Sequence, residues 1–180
     1  MTDQQLARGA DADWERSLAS AWAAIDALDE KDFLALIDQL VAQLPPESGI
    51  GLFERAASLD STGHSDLAVP LYRQALDRGL TGERRRRAVI QLASSLRNLG
   101  RPEQSVELLT AEMHAAPDDP AAKRLDDAVR AFLALALTDV GRVREAVSLA
   151  LGALAPHLPR YQRSLGNYAR ALVEPEPEEA

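Results

Sequence analysis

Residues 59–76 read LDSTGHSDLAVPLYRQAL, and the pattern returns as LRNLGRPEQSVELLTAEM over 96–113 and LTDVGRVREAVSLALGAL over 137–154. Each copy opens on a leucine, with a glycine four residues later (Gly63, Gly100, Gly141) and a small residue five beyond that (Ala68, Ser105, Ala146). Val69, Val106 or Val147 follows at once, then Leu71, Leu108 or Leu149. The glycine permits positive φ at the turn between two antiparallel helices, and its missing side chain lets the backbones approach. The small residue falls where the second helix crosses the first, so a larger one would push the pair apart. A unit of this kind, repeated, stacks helical hairpins on one another.

Working outward, the same reasoning predicts nine helices and no strand. Trp14, Leu18, Trp22 and Ile25 share one face of a first helix over about 13–28. Phe33, Leu36, Ile37, Leu40, Val41 and Leu44 share one face of a second, which Pro45-Pro46 ends. Further helices are expected over about 47–62, 65–78, 82–99, 102–116, 119–140, 142–155 and 158–173. Asp119-Pro120 supplies an N-cap acceptor and a proline at the first helical position for the seventh. Tyr161, Leu165, Tyr168 and Leu172 line up along the ninth. Residues 1–11 lack periodicity and are expected to be frayed, and the acidic, proline-broken tail 174–180 to be disordered. Residues 12–173 then form one helical domain, divided into a degenerate pair (12–46), three repeats (48–80, 82–117, 119–156) and a capping helix (158–173).

The three units resemble tetratricopeptide repeats. Ala68, Tyr72 and Ala75 occupy the matching places of the first unit, Ser105, Leu109, Glu112 and Pro117 those of the second, and Ala146, Ala150 and Ala153 those of the third. Ala56, Ala93 and Ala134 stand where the pattern wants a small residue on each first helix. The glycines are 37 and 41 residues apart, longer than the usual repeat of about 34, so the chain is similar to small bacterial proteins with atypical, slightly long units. The resemblance implies an all-α, right-handed superhelix of about nine stacked antiparallel helices that binds a protein or peptide partner. It also implies that the first helix of each pair lines a groove, which places Phe53, Asp60, Arg87, Ile90, Ser94, Arg97, Asn98, Leu135 and Asp139 as candidate partner-binding residues. The floor is then apolar (Phe53, Ile90, Leu135) and the edge polar, which suits a helix or an extended peptide.

Composition narrows the alternatives. The chain has no cysteine, so disulfides, thiol catalysis and cysteine-ligated metal are excluded. The net charge of −8 argues against general nucleic-acid affinity. No apolar run is long enough to span a membrane and no export signal is evident, so a cytoplasmic protein is expected; richness in Ala and Arg reads as a GC-rich bacterial genome. His64, His114 and His157 lie in different units with no metal-ligand spacing. Gly49-Ile50-Gly51 lacks the strand that a cofactor loop requires, and the carboxylate pairs Asp118-Asp119 and Asp126-Asp127 sit where they complement helix dipoles. No enzyme, cofactor or metal is therefore expected. The reading is an interaction module or a homodimeric scaffold. The alternative is a regulator whose Arg84–Arg87 run meets an acidic or phosphate-bearing partner, although four consecutive helical residues point all round the helix and cannot make one flat basic face.

Overall fold

A computed structural model describes residues 3–174, with the side chains of residues 12–174. The side chains of the expected frayed segment 1–11, and the expected tail beyond Glu174, lie outside the described residues. All regular structure among the described residues is helical. The chain divides into two compact units, residues 1–80 and 81–180, where the sequence reading expects one array over 12–173.

The first unit holds α1 (Asp3–Ala23), α2 (Glu30–Val41), α3 (Gly49–Ser61) and α4 (Ser65–Asp77), with a short 3-10 turn at Ile25–Ala27. The first helix therefore stops before the expected Leu28. Asp29 caps α2 by accepting the Asp32 amide at 2.9 Å. Leu18 and Ala21 of α1 pack with Phe33, Ile37, Leu40 and Val41 of α2, and Trp14 and Trp22 lie against this cluster. Each of the buried Leu, Ile, Val and Phe side chains stabilises by about 1.5–3 kcal/mol. The tryptophan stripe is thus core. Trp14 Nε1 donates to the Leu40 carbonyl at 2.9 Å, and Trp22 Nε1 to Glu54 Oε2 at 3.0 Å.

The second unit holds α5 (Gly82–Asn98), α6 (Pro102–His114), α7 (Pro120–Lys123), α8 (Asp126–Asp139), α9 (Val143–Leu154) and α10 (Gln162–Ala171), with a 3-10 turn at Ala155–His157. Its core joins Ile90 and Ala93 of α5, Leu109 of α6, Val129, Leu133, Ala134 and Leu137 of α8, and Ala146 of α9.

The repeated turn has one geometry in all three copies. The amides of His64, Arg101 and Arg142 donate to the carbonyls of Leu59, Leu96 and Leu137 at 2.8, 2.9 and 2.9 Å. The glycine amides donate to Asp60, Arg97 and Thr138 at 3.1, 3.0 and 3.1 Å. These are the two bonds of a Schellman C-cap, and they explain why the leucine stands four residues ahead of the glycine. Gly63, Gly100 and Gly141 hold φ of +93°, +71° and +77°. A Cβ built on any of them meets nothing within 4 Å. The glycines are therefore required for φ and not, as expected, for close approach of backbones. Close packing falls instead to Ala68, Ser105 and Ala146, all buried.

Two further expected helices change. The seventh breaks into α7 and α8 at Arg124-Leu125 although no glycine or proline stands there. Arg86 Nη1 donates to the Ala122 carbonyl at 2.8 Å, the acceptor to which a continuous helix would direct the Asp126 amide, and to Asp126 Oδ1 at 2.6 Å. The ninth starts at Gln162 rather than Leu158. Leu158, which precedes Pro159, is extended, and Tyr161 is left-handed at φ +69°.

Candidate functional site

In the first unit the two candidate groove residues serve the fold. Phe53 is wholly buried, its ring 6.2 Å from that of Tyr72. It cannot form a groove floor, because α3 turns this side toward α4. Asp60 Oδ1 accepts from Ser65 Oγ at 2.9 Å and Oδ2 from the Tyr72 hydroxyl at 3.5 Å, which ties the turn to both helices of the hairpin.

In the second unit the candidates separate into core and surface. Ile90 is buried among Leu109, Val129 and Leu133, so it too is corrected from floor to core. The residue that takes its place is Gln91, half-buried. Arg87, Gln91, Ser94 and Asn98 recur at intervals of four, three and four, which makes one stripe along α5, while Ile90 lies about 100° away. That spacing was the available signal for Gln91. The Gln91 Oε1 atom is buried without a hydrogen-bond partner.

On the neighbouring α8, Ala131, Leu135 and Thr138 form a matching exposed stripe, with Leu135 48% exposed. The helices pack together and are joined at their C-terminal ends by an ion pair between Arg97 Nε and Asp139 Oδ2. Two charges of the expected polar edge, Arg97 and Asp139, are thus matched to each other. Arg87 and Ser94 are half-buried and Asn98 exposed. The expected capping helix, α10, packs on α9 and on the 3-10 turn at Ala155–His157.

The arginine run has a structural assignment for two of its members. Arg86 is buried, with Nε 3.3 Å from Glu112 Oε1 and Nη1 on Asp126. Arg85 Nη1 donates to both oxygens of the buried Glu112 at 3.0 and 2.8 Å. Arg84 and Arg87 are half-buried. Two of the four guanidinium groups are therefore held by carboxylates of the same unit.

The histidines sit apart. His64 Nε2 lies 2.6 Å from Glu30 Oε1 and His157 Nε2 2.9 Å from Asp127 Oδ2, while His114 Nδ1 lies 2.7 Å from the Thr110 carbonyl. Among the described residues no group of three or more His, Asp or Glu side chains is placed to hold a metal ion. No helix there is long and apolar enough to cross a membrane.

Three hairpins closed by one glycine turn define a helical-hairpin repeat protein. A tetratrico peptide repeat family model matches residues 49–172, from the first residue of α3 to Leu172, the residue that follows α10. The chain belongs to the tetratrico peptide repeat family. Neither a curated protein nor a solved structure matches it. Proteins of this family are typically modules that mediate protein–protein interaction.

Proposed function

We propose that the chain is a non-enzymatic interaction module whose second unit receives a protein segment on the joined α5–α8 face. The observation that carries this reading is Leu135, an aliphatic side chain left half in solvent beside a polar stripe of Arg87, Gln91, Ser94 and Asn98. With Arg97 and Asp139 paired to each other, recognition rests on one apolar contact, on amide and hydroxyl groups and on the Arg87 guanidinium, an arrangement suited to a peptide main chain. A photo-crosslinking residue at position 135 should capture a discrete partner in the native host. The same residue at Leu67, equally exposed on α4, should not. Equal capture at both sites would sink the proposal.

A homodimeric scaffold is a second reading, favoured by the exposed stripe Val143, Val147 and Leu154 on α9. These residues stand at helical spacing on one side of the helix, and exposed apolar stripes of this kind mark association surfaces. Analytical ultracentrifugation should then show a dimer that Val147→Glu dissociates. A monomer at high concentration removes this reading and leaves the first intact.

A further inference from the structure

The stretch that leads into and forms the last helix is basic up to Glu174, which follows its final turn. Residues 155–173 carry three arginines (Arg160, Arg163, Arg170) and no carboxylate, in a protein of net charge −8. Elsewhere in the second unit Arg85, Arg86, Arg97, Arg130 and Arg142 each face a carboxylate, whereas Arg101, Arg124 and Arg144 make no ion pair among the described residues, and Arg144 Nε donates to the Leu172 carbonyl just past α10 at 3.0 Å. Arg160 and Arg163 are exposed and make no ion pair among the described residues, and Arg170 donates to Asn167 Oδ1 at 2.5 Å.

Two tyrosines accompany them. Tyr161 is 77% and Tyr168 70% exposed, although the sequence pattern aligns both with the apolar Leu165 and Leu172. Tyr161 also holds φ +69°, a conformation that strains a bulky residue and is kept where surrounding structure or function requires it. The ring gains little burial in return. Tyrosine and arginine are the side chains that dominate protein interfaces, because each offers a large contact area together with a polar group.

We infer that α10 and the residues leading into it form a second docking surface, separate from the α5–α8 face, whose occupant is a short acidic polypeptide segment of a partner protein. Charge complementarity carries the assignment: three arginines lacking carboxylates are matched by a segment that brings several. Length argues against a polynucleotide. The helix spans about 15 Å, and a polyanion running past it meets a protein that is otherwise strongly negative. A segment of about six residues, roughly 20 Å when extended, is confined to the basic patch, where the tyrosine rings can cover its main chain.

The test uses the full chain and three fluorescein-labelled probes: hexaglutamate, hexaglutamine and hexathymidylate. Hexaglutamate should bind in 50 mM salt. Arg160→Gln with Arg163→Gln and Arg170→Gln should weaken it at least tenfold, as should 300 mM salt, and hexaglutamine should not bind. Tyr161→Gly supplies a readout that a merely structural tyrosine would not give. It should raise Tm by releasing the left-handed strain and still weaken hexaglutamate binding several-fold. The proposal is overturned if the arginine variant binds as well as the parent, or if hexathymidylate binds more tightly than hexaglutamate. It is also overturned if binding appears only after Glu174, Glu176, Glu178 and Glu179 are changed to Gln, since the face is then occupied by the chain itself.

Discussion

The hairpins α3–α4 and α5–α6 are built on one template, yet they fill the same place in opposite ways. Fourteen residues before the turn glycine stands Gly49 in one and Arg86 in the other; twelve residues after it stands Ala75 or Glu112. In α3–α4 the contact is between small residues, and a Cβ on Gly49 would lie 3.2 Å from the Ala75 carbonyl oxygen. In α5–α6 it is a buried ion pair, with Arg86 and Glu112 each about 2% exposed at the side chain. The hairpin therefore tolerates a buried carboxylate where the facing helix supplies fixed cations. Glu112, which stands where the other two repeats have Ala75 and Ala153, and the arginine run are two halves of one feature.

The comparison breaks most severely if the carboxylate is moved without its cations. Ala75 is wholly buried, and Ala75→Glu should cost more than about 4 kcal/mol, because no arginine stands at position 49. Trp14 and Trp22 both lie in the first unit, so their fluorescence during urea unfolding reads the loss directly. Removing the cation from the other hairpin comes next. Arg86→Ala should cost about 3–5 kcal/mol by leaving buried carboxylate charge short of a partner. Replacing the pair together, as Arg86→Met with Glu112→Leu, should recover most of that. A cost below 1 kcal/mol for Arg86→Ala in urea titration followed by circular dichroism would show that the network is dispensable.

The shared turn should respond equally in both hairpins. Gly63→Ala and Gly100→Ala should each destabilise by about 1–2 kcal/mol, since alanine resists positive φ and neither site has a neighbour to clash with. A large difference between the two would mean that the turns are not equivalent. The smallest effect separates exposed from buried pairing. The hydrogen bond from Arg78, and then its charge, hold the exposed Glu47 carboxyl below the usual range. The stabilisation this gives is present above the ordinary carboxylate pKa and is lost as pH falls through the lowered folded value. Arg78→Gln should move the Glu47 midpoint, read by carboxyl NMR, upward toward its ordinary value and change neutral-pH stability little.

Much of the fold was legible because its signals are local. The leucine–glycine spacing is that of a C-cap, Asp119-Pro120 is a helix start, and Asp119 Oδ1 does accept the Ala121 amide at 2.9 Å. The candidate face was legible only in part. The groove positions implied by resemblance placed Leu135 and Asn98 at the surface, where they are, but put Phe53 and Ile90 there too. Their partners, Tyr72 on one hand and Leu109 with Val129 on the other, come from separate helices, and no spacing within one helix reveals which apolar residue they cover. Gln91 could have been found from the interval shared with Arg87, Ser94 and Asn98.

By itself the sequence determined the helical class, the three hairpins and the position of each turn, because these depend on φ preferences, periodicity and caps within a few residues. Only the tertiary structure decided where the expected seventh helix breaks. There Arg86, about forty residues upstream of Asp126, takes the Ala122 carbonyl that a continuous helix would have used. It likewise decided that Arg86 of the basic run is an interior strut and that Arg85 is held from the surface by the buried Glu112, that Tyr161 and Tyr168 stay in solvent, and that the chain parts into two units after Leu80. Each of these depends on which distant groups meet, and burial then fixes whether a charge is paired or a ring is covered.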